Sequence, residues 1–373
     1  MDEGGNQLPY LDELMYRLST WGDRDVQAVA GTGDFSNLEQ PENYVESLRR
    51  AAEPDSPARL AFGARTIAYT LFPNLSGNGW GEPDERGQAV RELNRDVNFR
   101  RAVSRALDRQ QLGEALVRGP FTTPYPGGLY AETSFYDKES TVYFPHDPEA
   151  AKADLAAAGL EDTDGNGFVN FPGGGDVEIT MLINADYQTD KTIGETIVAM
   201  MERVGLRVIP QIVDGTTRDN LSLSGKFDWL MRRFDWPELG TVVQNTVGLA
   251  PTGPQIAVHH RAGSDGTLDL LPFEQEMIDV TNQIMAAREP AEQVDLTKQY
   301  QKLYTENLWT IGLTQYPGAL IINKRFANIP AGAPIFLFNW AEDNIIRERV
   351  YVPADQQRPD FELQPQTLPG APG

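Results

Sequence analysis

The sequence contains no cysteine and only three histidines among its 373 residues. The absence of cysteine excludes disulfides, thiolate catalysis and cysteine-ligated zinc or iron–sulfur sites. With only His146, His259 and His260 available, a histidine-rich metal centre or a Ser-His-Asp triad has few candidate members. Adjacent side chains point in different directions on a strand or a helix. We therefore interpret His259 and His260 as solvated or hydrogen-bonded rather than as ligands of one metal.

The sequence also has no long apolar run and no excess of basic charge. No stretch approaches the ~20 apolar residues that cross a bilayer, and Met1 is followed by DEGGNQ rather than by a basic and apolar export signal. The 54 acidic residues outnumber the 32 basic ones and give a formal net charge of −22. Because this charge opposes phosphate backbones and no basic cluster offsets it, we do not expect a nucleic acid partner.

Familiar catalytic motifs are missing as well. No GxSxG elbow, GxxxxGK[ST] loop, HExxH helix or GxGxxG turn occurs in the strand-to-helix setting that it requires. Neighbouring carboxylates such as Glu276 and Asp279 carry little information in so acidic a chain, and we interpret them as a solvated helix face. We expect no catalysis, with a secreted hydrolase that uses two carboxylates as an alternative.

What the sequence does contain is the pattern of an α/β protein. At 373 residues it exceeds the ~250–300 residues at which single cores stop growing, which favours two domains or one large lobe with an insertion. Residues 177–184, VEITMLIN, alternate in polarity as a strand does, and a helical segment, Gly205 and a second strand follow. Such a β-α-β unit implies parallel neighbouring strands.

Further elements are predicted on both sides of this unit. Extended structure is expected at 64–74, 227–236 and 309–324, and helices at 41–52, 96–117, 147–159, 214–223, 273–288 and 290–307. The helix at 147–159 has the clearest ends, because Asp147 suits the N-cap, Pro148 the first helical position and Gly159 the stop. Residues 353–373 are rich in proline without periodicity and are interpreted as a tail.

The segment DTDGNGFVNFPGGG, which begins at Asp162, opens like a calcium loop. Asp162, Asp164 and Asn166 stand at alternate positions before Gly167, but position twelve is Gly173 instead of the bidentate glutamate that closes such a loop. The alternative is a turn in which Asp and Asn side chains bond to their own backbone and need no ion. We favour the turn and keep calcium as a weaker candidate; no other cofactor is expected.

The segment RRFDWPE, residues 232–238, concentrates both charge signs and two aromatic rings at the end of a predicted strand. Open α/β sheets bind ligands at the carboxyl ends of their strands, where an aromatic ring can stack on a ligand and Arg and Asp can pair with it. The alternative is an interface strand with Trp229 and Trp236 in the core and a surface Arg–Asp pair. The residues alone do not decide between these two interpretations.

The order of several segments resembles family 5 extracellular solute-binding proteins, the receptors of ABC importers. The segments are GNQLPYLDELMYRL, DVNFRRAVSRALDRQQL, DPEAAKADLAAAGL, DTDGNGFVN before VEITMLI, VGLRVIPQIVD and FDWLMRRFDWP. The resemblance implies a type II, periplasmic-binding-protein-like α/β fold with two lobes, of which this chain would be the carboxyl-terminal part. Residues 1–90 would belong to the first lobe and 91–310 to the second, with 311–352 returning to the first.

The same resemblance implies a function and a set of ligand contacts. The protein would be a monomeric, periplasmic or extracellular receptor without catalysis, which captures a peptide-like or other small polar solute and delivers it to a membrane permease. Asp235 and Trp236 would contact the solute, with Arg232, Arg233 and Phe234 beside them and Gln244 and Asn245 supplying neutral hydrogen-bonding groups. A calcium-stabilised secreted interaction module centred on Asp162, Asp164 and Asn166 is the alternative from another class.

Overall fold

A computed structural model describes residues 1–11, 19–133, 135–234, 249–329 and 347–357. The α-helices in these ranges are α1 (Trp21–Val29), α2 (Tyr44–Ala51), α3 (Glu85–Arg95), α4 (Val97–Ala106), α5 (Arg109–Leu116), α6 (Pro148–Ala157), α7 (Gln188–Glu202), α8 (Gly215–Leu223), α9 (Pro272–Ala286) and α10 (Pro290–Glu306). The strands are β1 (Phe35–Leu38), β2 (Ala58–Phe62), β3 (Ile67–Pro73), β4 (Thr123–Pro124), β5 (Glu178–Asn184), β6 (Arg207–Val213), β7 (Trp229–Phe234), β8 (Ile311–Tyr316) and β9 (Ala319–Asn323). Of the helices so described, none is both long and apolar enough to cross a membrane.

The larger sheet contains the predicted β-α-β unit. Its strand order is β4-β8-β3-β7-β5-β6, with β5 parallel to β6 and β7 and with β3 antiparallel to β7 and β8. The predicted apolar face of the first strand, Val177, Ile179, Met181 and Ile183, is fully buried, and α7 supplies the crossover. The parallel arrangement predicted from sequence is therefore confirmed.

A smaller antiparallel sheet has the order β1-β9-β2. Within the described residues, the chain passes between the two sheets at 63–66 and again at 317–318. These two connections lie side by side, because the Gly63 amide donates a hydrogen bond of 2.9 Å to the Gly318 carbonyl. Strand β9 thus brings the chain back to β1 and β2. The lobe limits predicted at residues 90, 310 and 352 stay a prediction.

The helix predicted at 147–159 is confirmed with its ends. Asp147 accepts a hydrogen bond from the Ala150 amide at the start of α6, and Gly159 ends the helix with a φ of 79°. A positive φ costs glycine little because it has no Cβ. The helices predicted at 273–288 and 290–307 are present as α9 and α10.

The single helix predicted at 96–117 is wrong, because the chain forms two helices there. Leu107 leaves the helical region, with a φ of −83° and a ψ of 113°. Asp108 then caps α5, and its carboxylate accepts hydrogen bonds from the amides of Gln110 and Gln111. The apolar period continues across the break, so periodicity alone does not reveal it; the aspartate that can restart a helix does.

Candidate ligand-binding site

Two of the predicted ligand contacts lie at the carboxyl end of β7. Arg232 and Arg233 are paired along β7 with Thr70 and Tyr69 of β3. Strand β5 is parallel to both β6 and β7. The carboxyl ends of all three strands therefore lie at one edge of the sheet, where ligands of open α/β sheets bind. The side chain of Phe234 and all of Asp235, Trp236, Gln244 and Asn245 lie outside the described residues, so their assignment as ligand contacts stays a prediction.

Arg233 is paired with a carboxylate that the sequence did not suggest. Its Nη1 atom donates a 2.9 Å hydrogen bond to Oε2 of Glu39, the residue that follows β1. The Glu39 side chain is completely buried, whereas the Arg233 side chain is 26% exposed. Arg24 of α1 approaches the other oxygen of Glu39 at 3.7 Å. The buried carboxylate therefore lies between two guanidinium groups.

The segment after β1 is also joined to α7. Thr189 is buried near the start of α7, and its hydroxyl donates to Oε2 of Glu42 at 2.9 Å and lies 3.3 Å from Oε1 of Gln40. Together with the Glu39–Arg233 pair, these contacts hold the smaller sheet beside the carboxyl edge of the larger one. Polar groups from both sheets consequently face the same region.

A second buried carboxylate lies beneath this edge. Asp190 of α7 is 2% exposed and accepts a 2.6 Å hydrogen bond from the Tyr69 hydroxyl. Burial raises the pKa of Asp190 to about 6, although the Tyr69 hydrogen bond and the charges of Arg218, Arg233 and Arg232 partly oppose that rise. At neutral pH the carboxylate is ionised and offsets part of the arginine charge.

A third buried carboxylate, Asp25 of α1, lies beside Arg24 in the same cluster. Arg24 Nε is 3.5 Å from one Asp25 oxygen, and Asn43 donates to the other at 3.1 Å. Burial raises the pKa of Asp25 to about 6, while the Asn43 hydrogen bond and Arg24 partly counter that rise. Counted over the described residues alone, the edge combines guanidinium, hydroxyl and carboxylate groups of nearly balanced charge, which suits hydrogen bonding to a polar ligand.

Two small cavities lie elsewhere, near the amino-terminal end of β7. Their volumes are about 270 and 340 Å³, and both are lined by Gly81, Glu82 and Lys226. The smaller one also reaches Phe227 and Asp228, which immediately precede β7. Neither cavity is lined by a predicted ligand contact. The cavities lie near the amino-terminal end of β7, whereas Arg232 and Arg233 lie at its carboxyl end.

The candidate calcium loop has the hydrogen bonds that the turn interpretation predicts. Asp162 accepts from the amides of Gly165 and Gly167 at 2.7 and 2.9 Å. Asp164 accepts from the Asn166 amide at 3.1 Å, and the Asn166 oxygen accepts from the Phe168 amide at 2.8 Å. No group of three or more His, Asp or Glu side chains in the described part of the chain is placed to hold a metal. Calcium binding by Asp162, Asp164 and Asn166 stays a prediction.

The adjacent histidines are buried and hydrogen-bonded to different partners. His259 Nε2 lies 2.9 Å from the Trp309 carbonyl, and its burial lowers its pKa to about 3. The two ring nitrogens of His260 lie 2.7 Å from Glu274 and 3.0 Å from Asp269. The hydrogen-bonded interpretation is confirmed and the solvated one is wrong, because both rings lie in the core.

Comparison with known sequences shows which protein family the chain matches. The family of bacterial extracellular solute-binding proteins, family 5 Middle, matches residues 4–238. The chain belongs to this family. The resemblance inferred from the ordered segments is thereby confirmed.

Two relatives of this family 5 chain are close along its whole length. The periplasmic alpha-galactoside-binding protein of Rhizobium meliloti (strain 1021) is 61% identical over 377 aligned residues, which cover 100% of this chain and 54% of that protein. The periplasmic binding protein MelB from Agrobacterium fabrum C58, solved in complex with stachyose, is 59% identical with a TM-score of 0.90; the match covers 98% of this chain and 55% of that one. The chain therefore spans about half the length of these relatives.

More distant family 5 structures share the fold. The oligopeptide-binding protein AppA from Bacillus subtilis, solved with a nonapeptide, has a TM-score of 0.64 at 15% identity, covering 89% of this chain and 58% of that one. The α/β, periplasmic-binding-protein-like architecture with two lobes is thus confirmed. At this identity the likeness concerns the fold and not the ligand.

Proposed function

We propose that this chain forms part of the substrate-binding subunit of an ABC importer that captures an uncharged α-galactoside oligosaccharide. The observation that carries the proposal is the 61% identity, sustained over the whole chain, to a periplasmic alpha-galactoside-binding protein. The solute lies at the carboxyl edge of the larger sheet, close to Arg232 and Arg233. This proposal replaces the peptide-like solute by an oligosaccharide within the same class of receptor.

The charge balance of the edge supports a neutral solute. The Arg233 guanidinium is paired with the buried Glu39 carboxylate, so it is not an isolated cation that awaits an anionic ligand. A guanidinium held in this way still offers N–H donors to hydroxyl oxygens. A sugar presents many hydroxyl groups and no charge, which matches such a surface.

The remaining features follow from this role. The receptor acts in the periplasm, binds without chemical change and presents the closed, loaded form to a membrane permease. Ligand binding favours the closed form by the difference in affinity between the two states. The protein acts as a monomer and needs no cofactor, and its formal charge of −22 supports solubility and opposes nucleic acid binding.

Calorimetric titration of the complete protein with stachyose tests the proposal, with a β-linked galactoside and a short peptide as comparison ligands. We expect saturable binding of stachyose and a rise in melting temperature, since a ligand at 100 times its Kd stabilises by about 2.7 kcal/mol. Chromatography of the recovered sugar should show it unchanged. Tighter binding of the peptide, absence of stachyose binding, or release of monosaccharides would each refute the proposal, and the last would favour the hydrolase alternative.

A further inference from the structure

The carboxylate of Glu39 is the centre of a buried ionic arrangement that joins the two sheets. Glu39 follows β1 of the smaller sheet, and Arg233 belongs to β7 of the larger one. The 2.9 Å contact between them therefore crosses from one sheet to the other at the candidate site. Arg24, at 3.7 Å from the other Glu39 oxygen, adds a second positive group from α1.

Burial of the Glu39 carboxylate has a free-energy cost that other interactions must offset. The Glu39 side chain has no exposed surface, and an ion taken out of water is penalised by several kcal/mol unless other charges and hydrogen bonds compensate. Two guanidinium groups supply that compensation. Conversely, removal of the carboxylate would leave both arginines without their shared negative partner in a medium where charges interact strongly.

The other charged groups at this edge do not replace Glu39. Asp190 is hydrogen-bonded to Tyr69, and Asp25 contacts Asn43 and Arg24, so both carboxylates contact groups other than Arg233. Arg232 and Arg218 add positive charge near Asp190. Within the part of the chain that the structure describes, Glu39 is the carboxylate that contacts Arg233 at the end of β7, and it contributes to the net charge that a ligand meets there.

We propose that Glu39 is a positioning residue that sets the charge selectivity of the site, holding the Arg233 guanidinium in place and cancelling its charge so that uncharged solutes are preferred over anionic ones. This inference rests on the proposed function and deepens it. Glu39 itself is buried and acts through Arg233. Arg233 keeps 26% of its side-chain surface exposed, so a ligand at this edge can reach the guanidinium.

The selectivity follows from elementary electrostatics. An arginine that shares its charge with a buried carboxylate attracts a ligand anion weakly, because the carboxylate repels the same anion. Without that carboxylate, a ligand anion that forms charge-assisted hydrogen bonds with the arginine meets less repulsion. Loss of Glu39 should thus weaken binding of a neutral sugar, through loss of orientation, while it strengthens binding of an acidic one.

The test measures two dissociation constants for each variant of the complete protein. The neutral probe is stachyose, and the anionic probe is stachyose with the primary alcohol of its terminal galactose oxidised to a carboxylate. For Glu39→Gln we expect stachyose to bind about 3- to 10-fold more weakly and the ratio of the two constants to shift at least 10-fold towards the anion. Glu53→Gln is the control, because it removes the same charge from a side chain that is 48% exposed and is paired with Arg49.

A second variant keeps the test decisive if Glu39→Gln does not fold. Arg24→Gln leaves Glu39 with less positive compensation, and the 26% exposure of the Arg24 side chain favours a folded product. We expect the ratio to shift in the opposite direction, against the anion. A role of Glu39 in stability alone would change the melting temperature and both constants equally.

The outcomes separate the two proposals. If the wild-type protein binds stachyose and neither variant changes the ratio of the constants, the assignment of Glu39 is refuted and the proposed function stands. If the wild-type protein does not bind stachyose, the proposed function is refuted together with the inference that depends on it. An equal shift in the Glu53→Gln control would also refute the assignment, since the effect would then reflect net charge.

Discussion

Tyr69 of β3 and Asp190 of α7 share a 2.6 Å hydrogen bond beneath the strand end that carries Arg232 and Arg233. Both side chains are at most 2% exposed. Burial raises the pKa of Asp190 to about 6, above the value of about 3.9 expected in an unfolded chain. The folded protein therefore binds a proton more readily than the unfolded one, and ionisation of Asp190 at neutral pH reduces stability.

We predict that Asp190→Asn raises the free energy of unfolding at pH 7 by about 1–3 kcal/mol, because the amide keeps a partner for Tyr69 without the buried charge. In the wild type, the contribution of Asp190 is complete below about pH 4 and is lost as the pH rises through about 6. Urea unfolding between pH 4.5 and 7.5 would measure both effects. Asp25 behaves alike, so the variant should lose about half of this pH dependence; a fully unchanged profile would contradict the assignment.

His260 carries a buried positive charge that stabilises the folded protein, whereas the buried charge of Asp190 destabilises it. Its two ring nitrogens lie within hydrogen-bonding distance of Glu274 and Asp269, an arrangement that requires both nitrogens to donate and hence an imidazolium. Burial lowers the pKa of His260, but the hydrogen bonds to Asp269 and Glu274 outweigh it and the net pKa is raised. The stabilisation is complete below about pH 6.5, the unfolded value, and is lost as the pH rises through the folded pKa.

We predict that His260→Gln lowers the free energy of unfolding at pH 6 by about 3 kcal/mol, because it leaves the buried Glu274 without its positive partner. The difference from the wild type should shrink as the pH rises above the folded pKa. Chemical unfolding at pH 6 and pH 9 would measure it. His146→Gln, at an exposed position, is the matched control and should change neither value; a constant deficit at both pH values would show that charge is not involved.

Local patterns in the sequence predicted those helices and strands whose ends and buried faces are determined by residues close to them in the chain. The alternation at 177–184 and the cap at Asp147 both correspond to structure, because burial on one face and a capping side chain act within a few residues. Helix α3 was missed: most of residues 85–95 are charged or polar, so no broad apolar stripe marks them. The usable signal was Asp84, which caps α3 by accepting from the Gly87 amide.

The candidate site could be predicted only in part. Arg232 and Arg233 became candidates because charges and aromatic rings cluster at the end of one strand, and their contact with a ligand stays a prediction. Glu39 was missed because it is 194 positions from Arg233 and nothing around it marks a buried carboxylate. Its position beside Arg233 depends on the return of β9 to a place between β1 and β2, a long-range pairing that local periodicity does not encode.

Gly81 and Gly79 offer a matched pair for testing close backbone packing. Both have positive φ angles, 79° and 81°. A Cβ at Gly81 would lie 2.5 Å from the Gly225 carbonyl oxygen, whereas a Cβ at Gly79 would meet nothing within 4 Å. We predict that Gly79→Ala costs about 1 kcal/mol from backbone strain and that Gly81→Ala costs at least about 2–3 kcal/mol. Equal costs in denaturant unfolding would contradict this packing.

The loop at Asp162 can be tested to distinguish a turn from a calcium site. Its carboxylate accepts two backbone hydrogen bonds, and the Gly167 amide is the main reason that the pKa of Asp162 is lowered. A turn held in this way needs no ion. We therefore predict that Asp162→Ala lowers the melting temperature by roughly 1–3 °C, and that millimolar calcium leaves the wild-type melting temperature unchanged relative to magnesium at the same ionic strength.

The Asp162→Asn/Asp164→Asn double variant makes the comparison decisive. It retains side-chain oxygens that can accept from the backbone but removes both negative charges, which a calcium ion needs far more than a turn does. If the loop is a turn, wild type and double variant should respond identically to calcium. A calcium-dependent rise in melting temperature that the double variant lacks would instead establish Asp162 and Asp164 as metal ligands and revive the calcium-stabilised alternative.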